Sequence, residues 1–124
     1  MIATDQHTTS DVIALATDPQ NRWTVHDGIA PTTAALPLIA VHLRAPIHDA
    51  EPLCTDHLGQ LRNVWQLSLH TRTVDQARWL TNAVLSLGWT GWVLDEVGPT
   101  VLDSEDEPRA YTTAITLHPA TVTR

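Results

Sequence analysis

The amino-acid sequence predicts an α+β fold: a four- to five-stranded, mainly antiparallel sheet with two helices packed on one face. Three observations lead to it. Short segments, among them 37–44 and 61–70, alternate apolar and polar residues with period two, as a strand buried on one side requires. Two other segments, 8–17 and 73–89, repeat apolar residues at helical spacing behind capping residues. Each strand has a single apolar face, and two helices are enough to cover it. A chain of 124 residues with 43% hydrophobic content suits one core, so 1–124 reads as a single domain with a loose N-terminus over 1–7.

"TTSDVIALAT" (8–17) offers a Thr or Ser cap, an acidic first turn and then Val12, Ile13, Leu15 and Ala16, before "DP" at 18 and 19 ends the helix. "RWTVHDG" (22–28) alternates Trp23 and Val25 with Thr24 and His26 and closes on a turn pair, which predicts a strand. "PLIAVHLR" (37–44) sets Ile39, Val41 and Leu43 on one face against Ala40, His42 and Arg44 on the other. "LRNVWQLSLH" (61–70) does the same with Leu61, Trp65, Leu67 and Leu69. "WVLDEVGPTVLD" (92–103) reads as a strand interrupted at Gly98 and Pro99. "AYTTAITLH" (110–118) gathers Tyr111, Ile115 and Leu117 on its apolar side. Residues 45–60 are expected as a long loop and 103–109 as an acidic hairpin turn.

The main helix opens at "TVDQ", where Thr73 and Gln76 have capping-box spacing, and Gly88 is its expected terminator. At 100° per residue Ala77, Leu80, Ala83, Val84 and Leu87 share the arc that lies on the sheet, with Asp75, Asn82 and Ser86 opposite. Leu85 falls near Arg78 outside that arc, a regular last turn puts Trp89 on the same flank, and Trp79 lies at the other edge. Two readings of these residues stand: boundary side chains against loops, or a subunit interface.

The charge pattern argues against a nucleic-acid grip. The net charge is -7, and the seven basic residues are all arginines without a cluster, whereas phosphate affinity comes from many cationic contacts. Cys54 is alone, which rules out an internal disulfide framework and suits a reducing compartment. No run approaches the ~18 apolar residues of a membrane span, and the N-terminus has no signal-peptide pattern, so the expectation is a protein without a membrane role. The 45–60 loop collects His48, Asp49, Glu51, Cys54, Asp56 and His57, all ligand types for zinc, but in no compact metal spacing. Cys54 with His57 or His70 lacks a marked oxyanion site. His26, His42, His70 and His118 fall on the polar sheet face or at strand ends. Asp95, Glu96, Asp103, Glu105, Asp106 and Glu107 concentrate acid in the last third with Arg109 as the nearby counter-charge, yet without the register of a calcium loop. The expectation is therefore no enzyme, no metal and no cofactor.

The order "DGIAPTTAALPLIAVHL", "LGQLRNVWQLSLHTRTVDQARWLTNAVLSL", "GPTVLD" and "EPRAYTTAITLHPATV" resembles the tail terminator (tail completion) proteins of siphophages, particularly those infecting actinobacteria. The likeness spans roughly 22–122 and is strongest over 64–80. It implies a structural virion protein of the tail neck, assembled in the host cytoplasm. Such proteins form a homo-hexameric ring that caps the major tail tube protein, ends polymerisation at the length set by the tape measure protein, and offers a docking surface to the head-tail connector or stopper. Genome DNA passes through without specific binding. The expected subunit interface is then Trp79, Leu85, Trp89 and Arg78. His48, Asp49, Glu51 and Asp56 are expected to reach a neighbouring ring, and Asp103, Glu105, Asp106 and Glu107 to form an acidic lumen or rim that discourages phosphate from sticking. A head-to-tail stopper or other neck protein is the second expectation, and a small metal-dependent enzyme using the 45–60 loop the third.

Overall fold

The computed structural model describes residues 8–30, 34–48, 61–105 and 110–120. Two helices, α1 (Thr9–Ala16) and α2 (Val74–Leu85), accompany six strands: β1 (Thr24–Asp27), β2 (Leu38–His48), β3 (Leu61–Thr71), β4 (Trp92–Val97), β5 (Val101–Ser104) and β6 (Ala110–Pro119). The sheet order is β1-β2-β3-β6-β4, with β5 also on β6. All pairings are antiparallel except that of β1 with β2. The α+β architecture is as the alternation predicted. The expected interrupted strand is two strands, β4 and β5, laid end to end along β6. The break falls at Gly98 and Pro99, where Gly98 still donates its N–H to the Ala114 carbonyl at 2.8 Å.

Register explains the core. Val41, Leu67, Ile115 and Val97 stand opposite one another across four strands, and Leu43, Trp65, Leu117 and Leu94 form a second such row. Side chains in one row project to the same face. On that face α1 packs over β1 and β2, while α2 packs over β3 and β6. Val12, Ile39, Val41, Leu67, Leu69 and Leu80 are among the residues fully removed from water, each contributing about 1.5–3 kcal/mol of burial.

Local sequence sets the helix starts. Thr8 caps α1 reciprocally with Asp11: its hydroxyl accepts from the Asp11 N–H at 3.4 Å, and its own N–H donates to the Asp11 carboxylate at 2.7 Å. Thr73 caps α2 by accepting from the Gln76 N–H at 3.0 Å, but the Gln76 side chain accepts from the Arg72 N–H at 2.8 Å, one residue further back than a capping box requires. The end of α2 also differs from expectation. The helix stops at Leu85, and Ser86, not Gly88, is its C-cap, donating both its N–H and its hydroxyl to Asn82 O.

The expected 45–60 loop starts later. Residues 45–48 continue β2, and His48 pairs with Leu61 after a register shift between Arg44 and Ile47. That shift accommodates Pro46, which has no N–H for a regular ladder. Asp103 likewise belongs to β5 rather than to the acidic turn.

Candidate functional site

The tryptophans show which side chains the fold uses and which it leaves free. Neither helix has a basic residue in its last turn, so its terminal carbonyls need another donor. An indole supplies one in each case. Trp23 Nε1 donates to Ala16 O at 2.9 Å, and Trp89 Nε1 donates to Val84 O at 2.7 Å. Trp89 therefore corrects the expected interface: it is 8% exposed and belongs to the core. The chain leaves the helix after Leu85, turns the indole inward, and closes the end of α2 with it. Trp65 Nε1 reaches Thr9 Oγ1 at 3.2 Å, tying β3 to the start of α1, and its ring meets Trp92 edge-on at 5.5 Å.

Trp79 is 40% exposed but engaged within the chain. Its ring meets Trp23 edge-on at 5.9 Å, and the Arg22 guanidinium lies 5.3 Å from the Trp23 ring and 5.4 Å from the Trp79 ring. Arg22 is held there by the buried Asp18 carboxylate, which accepts from Arg22 Nε at 2.9 Å and from the N–H groups of Gln20 and Arg22. The hydrogen bond from the Arg22 side chain holds the Asp18 carboxyl below its ordinary 3.8, against the opposing effect of burial. This clamp joins the α1–β1 turn to α2. Leu85, on the opposite flank, is 41% exposed, and Val74, at the other end of the helix, is exposed to a similar degree. Arg78 is exposed beside Asp75 at 3.4 Å, a geometry that contributes little.

The sheet face opposite the helices carries His26, His42, His70 and His118, as the strand alternation predicted. His118 Nδ1 lies 2.6 Å from an Asp95 carboxylate oxygen, and His70 Nδ1 lies 3.2 Å from Thr112 Oγ1. Partial burial pushes the His70 pKa below 6.5; the nearby Asp103 carboxylate pulls it up and His42 pushes it further down.

Asp103 and Glu105 are exposed at the end of β5, on the same sheet edge as Asp95 and Glu96. Asp106 and Glu107 lie outside the described residues, as do Asp49, Glu51, Cys54, Asp56 and His57, so of the expected inter-ring loop only His48 is placed, at the end of β2. Among the described residues, no group of three or more His, Cys, Asp or Glu is arranged to hold a metal ion, and no helix is long and apolar enough to cross a membrane.

Charge is unevenly divided. Between Trp92 and Glu105 stand four carboxylates and no arginine, whereas the other described residues carry four carboxylates and five arginines. Exposed apolar residues that sequence reasoning had not singled out as a surface lie on this acidic edge, namely Val93, Val97, Val101 and Leu102, and at the opposite side of the sheet, namely Ile29 and Leu43. The available signal was the apolar content of "VLDEV" and "TVLD", which does not alternate with period two and is divided by Gly98 and Pro99. No protein-family model matches the chain, and the search of curated proteins found no match.

Proposed function

We propose that the protein is a structural subunit of a phage-type tail neck: a tail terminator that closes into a ring on the end of a tail tube, stops its growth and presents a surface to the head-tail connector. The observation that carries this reading is where the resembling sequence falls. The segment of strongest likeness, 64–80, lies in the central strand β3 and the main helix α2, and the flanking segments supply β2, β5 and β6 around them. The resemblance thus follows the framework of the domain rather than one loop.

The chemistry is compatible with a scaffold role. The tryptophans and the Asp18–Arg22 pair are spent on fastening helices to the sheet. One sheet face carries threonines, histidines, Gln66 and Ser68 with few fixed charges, and the acidic β4–β5 edge repels phosphate, so DNA could pass without being held. The test is tube capping. Tubes polymerised from the tail tube protein of the same virion should stop elongating when this protein is added, with extra density on one end by electron microscopy. Unchanged elongation and bare ends would overturn the reading, and density bound only to the head-side connector would favour a stopper.

A further inference from the structure

We infer that residues 95–103, the far half of β4 together with β5, form a strap that opens from β6 as a unit while the rest of the domain stays folded, with Asp95 and Thr100 as its fasteners. This device is independent of the ring reading.

The two halves of this sheet edge are held by different forces. The root is apolar: Trp92 meets Trp65 edge-on at 5.5 Å, its N–H donates to Trp89 O at 2.9 Å, and Leu94 packs partly buried against the core. Beyond Leu94 that anchoring stops. No side chain from 95 to 103 is buried, and Val97, Val101 and Leu102 are among the exposed large apolar residues. The helices pack over β1, β2, β3 and β6, and among the described residues β6 is the one strand that pairs with the strap. A segment with few buried apolar contacts and solvent-exposed backbone bonds belongs to the low end of local stability, so it opens without global unfolding.

The backbone ladder under the strap is itself interrupted. Register shifts fall between Leu94 and Glu96 and between Leu102 and Ser104, and Pro99 has no N–H to offer. Polar side chains make up for part of this. The first shift leaves Asp95 without a register partner, and its carboxylate lies 2.6 Å from Nδ1 of His118 on β6. Thr100 Oγ1 lies 2.7 Å from Oγ1 of the buried Thr113, and between these two contacts Gly98 donates its N–H to Ala114 O at 2.8 Å. What the strap covers is the outer ladder of β6. When it opens, the backbone groups of β6 on that side lose their partners, the condition in which a strand can pair with another chain. The strap is therefore the part of the fold that controls access to β6.

Native-state hydrogen exchange on the full chain, read by nuclear magnetic resonance, tests this. The Gly98 amide, bonded to Ala114 O, reports opening of the strap, and the amides of Leu67 and Leu69 in the central strand β3 report global unfolding. In the wild-type chain Gly98 should be at least about a hundredfold less protected than β3, with little dependence on low urea, because strap opening exposes little surface. Val12→Ala, in α1 over β1 and β2, weakens the strap-closed and strap-open forms alike. It should lower β3 protection about tenfold and leave Gly98 unchanged; Ile39→Val serves the same purpose with a smaller effect of about threefold. Asp95→Ala and Thr100→Val weaken the closed form alone, so each should lower Gly98 and β3 protection by the same factor, about threefold to tenfold for one net hydrogen bond. If Val12→Ala or Ile39→Val lowers Gly98 in step with β3, the strap opens only with the whole domain and the inference is overturned. Unchanged Gly98 protection in Asp95→Ala and Thr100→Val overturns the fasteners.

Discussion

Trp89→Ala separates the role of Trp89 as the cap of α2 from that of an interface residue. The native side chain is almost wholly buried, and its Nε1 donates to Val84 O at 2.7 Å. Burial of a tryptophan removes about 200 Å² from water, and at about 25 cal/mol per Å² that is roughly 5 kcal/mol as an upper bound. Truncation to alanine, with partial collapse of the cavity, is expected to cost about 3–5 kcal/mol. Trp89→Phe keeps most of the ring but removes one donor to the Val84 carbonyl, which the Leu87 N–H still reaches at 3.1 Å, an expected loss of about 0.5–1.5 kcal/mol. Leu85→Ala, four residues earlier on an exposed flank, should change stability by no more than about 0.5 kcal/mol. Urea unfolding at neutral pH, followed by far-ultraviolet circular dichroism, reads all three against a total of about 5–15 kcal/mol for a domain. A Trp89→Ala effect as small as that of Leu85→Ala would refute the cap, because it would mean that the indole is not part of the core.

Other perturbations test separate parts of the fold. Asp18→Asn should flatten the acid limb of the stability profile: the folded carboxyl ionises below 3.8, so its stabilisation is present above 3.8 and is lost as pH falls through the lower folded value. Acid titration of the two chains side by side checks this, and identical limbs contradict it. His70 works over a milder range. Its folded pKa lies below 6.5, so the unfolded chain binds the proton first, and stability should fall as pH drops below 6.5 toward that lower value; His70→Gln should remove part of this slope in urea melts at a series of pH values. Gly91→Ala should cost about 1–2 kcal/mol because its φ of 89° is strained for a residue with a Cβ, measurable as a lower melting temperature. Arg22→Ala should increase water exposure of Trp79, seen as a red shift in tryptophan emission, since it removes the cation packed between Trp79 and Trp23.

The sequence was most informative where one period ran unbroken. In β2, β3 and β6 the two-residue alternation assigned Ile39, Val41, Leu67, Leu69, Ile115 and Leu117 to the covered face and the histidines to the other, which is where the structure puts them. Ala77, Leu80 and Val84 were likewise legible from helical spacing. Trp89 was not, because extending 100° per residue past the last turn points it outward, whereas the chain has already left the helix at Leu85. Pro46 read as a loop signal although the ladder absorbs it in a register shift. Alternation carries no information on strand direction, so the parallel pairing of β1 with β2 was not visible, and Gly98–Pro99 divided the apolar residues of one sheet edge into two unconnected fragments.

The proposed closed ring has a defined mass. Native mass spectrometry of the protein, free and released from tube ends, reads that mass: six chains of 13.6 kDa should give one discrete species of about 82 kDa. A monomer mass in both preparations, or a ladder of masses without a closed end point, would contradict it.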